Sequence, residues 1–282
     1  MPPTLSYAVT VISPLGYRHT AAFHEVAQTL VHGLTDLGHD AVLTTSGQLP
    51  NRIHIVLGSN LLPTYPLPLA DDAILYNFEQ VDSASRWFCP ELLALFRRHT
   101  LWDYSTTNAR ALADLGVPVS RVVPLGYAAP LTRIRFAAVR DIDVLFFGSL
   151  NPRRLTIIRQ MRDVGLRVCA VCGLYGRQRD ALISRAKVIL NVHYYEAGIL
   201  EMVRLADLLA NRCAVLSELG ADPIEDQALA GGVAFASYSQ LVQRARALVG
   251  DAEACERLAS RGFELMRDRP IATILRQALA PL

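Results

Sequence analysis

Short, continuously apolar runs alternate with amphipathic segments along almost the whole chain. The runs at 7–12, 41–44, 53–57, 73–76, 121–123, 143–147, 167–171, 188–191, 214–217 and 233–236 lack in/out alternation, which predicts strands buried on both faces. Between most of them, 20–37, 89–99, 108–115, 153–164, 180–185, 201–210 and 238–248 carry apolar residues at helical spacing. Strand–helix alternation of this kind predicts an α/β protein with parallel, doubly wound sheets. The alternation is interrupted once, where Pro124, Gly126 and Pro130 give the density of a linker. The predicted division is therefore an N-terminal Rossmann-like lobe at 1–128 and a C-terminal one at 136–282, facing a central cleft. The last segment, with Ile271, Ile274, Leu275, Ala278 and Leu279 at helical spacing, is free to pack against either lobe.

Composition narrows the function. With 51% hydrophobic and 19% charged residues the chain is not disordered, and a net charge of +2 lacks the basic excess of a nucleic-acid binder. Five scattered cysteines make no disulfide framework, and Cys169 and Cys172, spaced as in a metal or redox motif, lie in an apolar run and read as buried strand residues. No basic leader and no membrane-length apolar stretch is visible, so a cytoplasmic protein is expected.

In open parallel sheets ligands bind beyond the carboxyl ends of the strands, so the segments just after strands carry the chemistry. After the first run come Gly16 and His19, then a helix with Glu25 placed off its apolar face. After the fourth, Asn77, Phe78, Glu79 and Gln80 set a carboxylate between amides, suited to hydroxyls or to capping the next helix. In the second half, Gly148 and Ser149 form a turn, and Arg153 and Arg154 fall in the first turn of a helix, where positive side chains oppose the macrodipole unless an anion sits between them. Gly173, Tyr175 and Gly176 make a second open loop, suited to a planar base. The densest segment runs from Asn191 through His193, Tyr194 and Glu196 to Glu201, Arg204, Leu205 and Asp207. Glu201, Arg204 and Asp207 recur every three residues and suit ribose, diphosphate and sugar hydroxyls, unless Glu201 and Arg204 merely pair along the helix.

These segments resemble the GT-B glycosyltransferases. The stretch from Asp207 to Ser217 is similar to that family's acidic residue and small-residue turn leading into a strand, and Asp143 to Gly148 to the opening of its donor lobe. The runs 76–80, 102–105 and 191–196 look like a bacterial subgroup whose donor lobe is similar to glycosyltransferase family 4 and to CgeB. The chain departs from the pattern at Asp207, where larger retaining families carry Glu, at Ile199, where a glutamate is expected, and at Arg212 and Ala214, which replace a glycine and a proline.

The resemblance implies transfer of a sugar from a nucleotide-diphosphate donor to a small-molecule, glycan or peptide hydroxyl, in bacterial glycan, glycoprotein or natural-product glycosylation. Asp141 and Asp143 precede their strand, so no metal motif is expected and no cofactor beyond the nucleotide sugar. Gly148, Ser149, Arg153, Arg154, Gly173, Tyr175, His193, Tyr194, Glu196, Glu201, Arg204, Leu205 and Asp207 are the expected donor-binding set, with Asp207 on the ribose. Glu79, His19 and Glu25 are the candidate bases for an inverting transfer. The alternative is a two-lobed protein that binds nucleotide or sugar without turnover.

Overall fold

A computed structural model describes residues 4–281. The chain divides into two compact units, one formed by Met1–Pro130 with Arg269–Leu282 and the other by Leu131–Asp268. The first contains β1 (Ser6–Val11), α1 (His24–Asp36), β2 (Asp40–Thr44), β3 (Ile53–Leu57), β4 (Ile74–Asn77), α2 (Pro90–Arg98), β5 (Thr100–Asp103), α3 (Thr106–Asp114) and β6 (Arg121–Val122). Its six strands are ordered β2-β1-β3-β4-β5-β6, with every pairing parallel. Val26, Ala27, Leu30 and Leu34 of α1 are buried, four-residue spacing that lays one stripe on the sheet. The α-helix opens later than the pattern predicts, because Arg18–Phe23 forms a 3-10 turn first.

The second unit runs β7 (Ile142–Phe147), α4 (Pro152–Asp163), β8 (Val168–Val171), α5 (Gly176–Ile183), β9 (Ala186–Asn191), α6 (Met202–Ala210), β10 (Val215–Glu218), α7 (Pro223–Ala228), β11 (Ala234–Ala236), α8 (Leu241–Val249) and α9 (Ala252–Arg267). Its five strands are ordered β11-β10-β9-β7-β8, again all parallel. The order reverses between β7 and β9, which makes the carboxyl ends of those two strands the switch point. Val144, Phe146, Val188, Leu190 and Leu216 form the sheet's share of the core against Ile157 and Ile158 of α4 and Leu241 and Ala245 of α8.

Both sheets are the doubly wound, Rossmann-like kind that the apolar runs predict. Strand β5 and helices α7 and α9 go beyond the predicted elements, and α5 opens at Gly176 rather than near Asp180. Cys169 is half-buried and Cys172 exposed, because β8 is the edge of its sheet rather than an interior strand. The second unit ends at Asp268, not at 282 as the predicted boundary has it, because the C-terminal helix α10 (Ile271–Ala278) packs on α1 of the first unit. The chain returns beside Tyr127, whose N–H donates to Arg269 O at 2.8 Å. Gly33 of α1 makes room for it: a Cβ there would lie 2.8 Å from Ile271 Cγ2 and Leu275 Cδ1. No helix among the described residues is long and apolar enough to cross a membrane.

Candidate functional site

At the switch point of the second unit the backbone after β7 turns at Gly148, whose φ of +140° disfavours any side chain. The absent Cβ leaves space that the neighbouring helix fills: a Cβ on Gly148 would lie 2.6 Å from Arg204 Nη2. Arg204 rises from α6 with its guanidinium 5.7 Å from the Phe146 ring centroid and 5.3 Å from that of Phe147. Its Nη1 donates to Asn191 Oδ1 at 2.5 Å. Asn191 is fully buried at the end of β9, and its amide donates to Glu201 Oε2 at 2.8 Å and Ser217 Oγ at 3.0 Å. Arg204 thus has a neutral partner and forms no ion pair among the described residues. The simple Glu201–Arg204 helix pair does not form.

Glu201 instead faces His193 and Arg154. Its Oε2 lies 3.1 Å from His193 Nδ1, and Arg154 Nη2 donates to its Oε1 at 3.3 Å. His193 Nε2 faces the Leu219 carbonyl at 3.0 Å. Both ring nitrogens therefore meet groups that only accept, which defines a doubly protonated imidazolium. Burial presses the His193 pKa down, but Glu201, joined by Glu218 and the Leu219 carbonyl, more than offsets it and the net shift is upward. Burial likewise opposes ionisation of Glu201, yet His193, Arg204 and Arg154 draw its pKa down to about 2.

Several expected donor ligands are committed elsewhere. Arg154 is buried, donating to the Val192 and Ser149 carbonyls at 2.8 and 2.9 Å, and burial followed by the charge of Arg204 lowers its pKa to about 10. Arg153 is held by both oxygens of Glu218 and lies over the Tyr238 ring at 4.2 Å, so no anion is needed between the two arginines. His193, 2% exposed with both nitrogens used, does not reach a sugar. Leu205 is a core residue with no exposed surface. Asp207 does not present a free carboxylate for ribose, since Arg179 holds it at 2.8 Å and Arg133 at 3.4 Å. Steps of three drift about 60° around a helix, which turns Asp207 away from the stripe of Arg204 and onto α5. Around the rim, Ser149, Tyr194 and Glu196 are exposed, and Gly173 and Tyr175 sit on the half-buried loop that opens α5. Gly173 has φ +72° with open space where a Cβ would stand.

In the first unit the loop after β4 carries Glu79, half-buried, with Asn60 Nδ2 donating to its Oε1 at 3.3 Å. Burial raises its pKa to about 7. Behind it, Asp103 at the end of β5 is fully buried, and burial, against hydrogen bonds from Asn77, Ser105 and Asn108, raises its pKa also to about 7. His19 lies exposed on the 3-10 turn, 5.5 Å from Tyr17 in edge-to-face contact. Glu25 is 5% exposed on the inner side of α1, contrary to the off-core position expected of it, because the 3-10 turn shifts the register of the helix that follows. Asp141 and Asp143 are structural: Asp141 pairs with Arg185, and Asp143 with Arg167 and Lys187, each at 2.8 Å.

No protein-family model matches the chain. Two uncharacterized proteins of Acanthamoeba polyphaga mimivirus are similar to parts of it, at 30% identity over 127 residues and 35% over 111 residues. These segments cover 43% and 37% of the chain but only 40% and 12% of those proteins. Among solved structures, a sucrose-phosphate synthase from Thermosynechococcus elongatus and Anabaena HepE in complex with UDP and glucose each superpose with TM-score 0.62 at 11% identity, covering 98% of both chains. AviGT4, a glycosyltransferase of avilamycin A biosynthesis, superposes with TM-score 0.54 at 16% identity over 98% of this chain and 96% of its own. The fold is that of the GT-B glycosyltransferases. Within that GT-B fold, the structure brings the expected Gly148, Glu201 and Arg204 together around Asn191; sequence reasoning placed Asn77 only as an amide flanking Glu79 and gave no role to Asn191 itself, Asp103 or Asn108. For Asn77, Asp103 and Asn191 the signal was a polar residue at the end of an apolar run; Asn108, in the first turn of α3, carried no such signal.

Proposed function

We propose that the chain is a glycosyltransferase that binds a nucleoside-diphosphate sugar at the switch point of its second unit and transfers the sugar to an acceptor hydroxyl. The observation that carries this reading is Arg204, a half-buried guanidinium at the carboxyl end of the sheet that no carboxylate among the described residues pairs with. Around it, Arg153, Arg154, Arg204 and the His193 imidazolium outweigh Glu201 and Glu218, leaving a positive excess. The diphosphate of a nucleotide sugar is a dianion that suits this excess. As the bond to the sugar breaks, negative charge grows on the leaving diphosphate, and a guanidinium already fixed by Asn191 and Gly148 stabilises it without reorganisation. The capture of HepE with UDP and glucose supports a donor of that chemistry. With Asp141 and Asp143 tied up in ion pairs, protein cations rather than a metal neutralise the diphosphate in this reading. In an inverting transfer Glu79 is the general base, since its pKa of about 7 suits proton removal near neutrality better than an ordinary carboxylate. Glycans, glycoproteins and natural products are the acceptor classes proposed.

The test is titration of the wild type, Arg204→Ala and Arg204→Lys with UDP, GDP, dTDP and the corresponding sugars, alongside thermal unfolding. Arg204→Ala is expected to lose about 2–4 kcal/mol of transition-state stabilisation, and Arg204→Lys to remain impaired because an ammonium cannot bridge two phosphate oxygens. Unchanged nucleotide affinity in Arg204→Ala overturns the reading.

A further inference from the structure

Asp103 has no exposed surface and no cationic partner among the described residues. Its carboxylate accepts hydrogen bonds from Asn77 Nδ2 at 2.7 Å, Asn108 Nδ2 at 3.1 Å and Ser105 N–H at 2.9 Å, with the Tyr104 N–H beside them. Burying a carboxylate without a counter-ion opposes folding, so stability of β5 is a poor reason for it to be there. Its two asparagine partners show a better one. Asn77 Nδ2 also donates to Glu79 O at 2.9 Å, and Asn77 Oδ1 accepts from Glu79 N–H at 3.2 Å. Asn108 Nδ2 donates to the same carbonyl at 3.0 Å, and Asn108 Oδ1 accepts from Val81 N–H at 2.9 Å. Every hydrogen bond of these two side chains thus goes either to Asp103 or to the loop that carries Glu79.

An asparagine amide has two faces, and nothing in its shape decides which way it points. An ionised carboxylate can only accept, so Asp103 holds both amides in the orientation that the Glu79 carbonyl and the Glu79 and Val81 N–H groups also require. With both NH2 groups drawn toward Asp103, both amide oxygens are left for the N–H groups of Glu79 and Val81. We propose that Asp103 is the positioning residue for Glu79, setting the orientation of Asn77 and Asn108 and through them the place of the Glu79 backbone. The functional half of this inference rests on Glu79 as the base; the positioning half does not.

The experiment compares wild type with Asp103→Asn. That change keeps the shape but sets an NH2 against a donor, either Asn77 Nδ2 or the pair Asn108 Nδ2 and Ser105 N–H, and forces an amide to turn. Amide hydrogen exchange of Glu79 and Val81 is expected to speed up at least about tenfold, the scale of one lost hydrogen bond, while the amides of β1 and β3 are unchanged. Turnover of the best-bound of the UDP-, GDP- and dTDP-sugars is expected to fall in kcat with donor KM unchanged. Unaltered exchange at Glu79 and Val81, or equal loosening of the whole first unit, overturns the proposal. If Asp103→Asn does not fold, Asn108→Ala, which leaves Asp103 its bonds from Asn77 and Ser105, is read by the same criteria. Wild-type turnover in Glu79→Gln with loosened amides in Asp103→Asn removes the base assignment and leaves the positioning role standing.

Discussion

Replacing Gly148 with alanine moves Arg204 without removing its charge, and so asks whether the placement of that charge matters. The new Cβ would fall 2.6 Å from Arg204 Nη2 and 3.6 Å from its Cζ, against 3.4 Å at the start of ordinary contact. The guanidinium must therefore retreat by about 0.8 Å. It has little room, since Asn191 Oδ1 holds Nη1 at 2.5 Å and the Phe146 and Phe147 rings lie within 5.7 Å. A second effect is backbone strain: an L-residue at φ +140° costs about 1–3 kcal/mol. For a unit of this size that corresponds to a fall in Tm of about 3–12 °C. Displacement of the guanidinium is expected to weaken nucleotide binding by about tenfold or more. The assay is calorimetric titration with the best-bound nucleoside diphosphate, together with thermal unfolding, on Gly148→Ala, Arg204→Ala and the double variant. Because both changes act on one guanidinium, the double variant is expected to bind no more weakly than Arg204→Ala alone. Two outcomes refute the reasoning: a lower Tm with wild-type affinity in Gly148→Ala, or full additivity in the double variant.

His54 gives a pH prediction for the first unit. Its Nε2 accepts from Leu49 N–H at 2.8 Å and so carries no proton, Nδ1 lies 2.7 Å from Thr10 Oγ1, and burial lowers its pKa. The unfolded chain takes up the proton near pH 6.5, so this stabilisation is complete above that pH and is lost as pH falls toward the folded-state value. Thermal unfolding from pH 7 to 5 is expected to show a shallower acid limb in His54→Gln, and an unchanged slope rules the mechanism out. Gly33→Ala gains about 1 kcal/mol of helix propensity but meets Ile271 and Leu275 at 2.8 Å, an overpacking cost of about 1–3 kcal/mol. Net destabilisation is expected, relieved when Ile271 is also shortened to Ala; stabilisation by the full propensity gain contradicts the packing of α10 on α1.

The architecture was legible because buried parallel strands leave uninterrupted apolar runs, as at 73–76 and 144–147. Strand β5 escaped because Thr100–Asp103 is four residues long and follows α2 with only His99 between them. In the site, Gly148 and Arg204 were legible as a turn glycine and a helix cation after strands. Asp207 and Glu25 misled for the same physical reason: a residue's place on a helix depends on where the helix starts and on rotation per residue, and a few tens of degrees separate a ligand face from a neighbouring helix. Arg153 and Arg154 looked like an anion clamp because the sequence does not show Glu218 and Glu201, which lie 65 and 47 residues away. Arg212 stands where the GT-B pattern has glycine, and it does adopt the left-handed φ of +55° that glycine favours, with its guanidinium 4.1 Å from the Phe263 ring. Arg212 thus takes the backbone conformation for which the resembling pattern uses a glycine.

The return of the chain beside Tyr127 makes the second unit an insertion into the first. The N–H of Tyr127 donates to Arg269 O, that of Ile271 to Tyr127 O at 2.9 Å, and at Gly126 a Cβ would lie 2.7 Å from Arg269 O. The outgoing and incoming strands therefore leave and rejoin the host at one place. A single proteolytic nick between the units leaves both fragments joined through the other crossing, and release needs two cuts. Shortening the chain at 268 does not trim the guest but strips the host of α10, uncovering the Gly33 side of α1. Excising the guest with a short splice from the vicinity of Pro130 to Arg269 is the dissection that keeps both sheets whole.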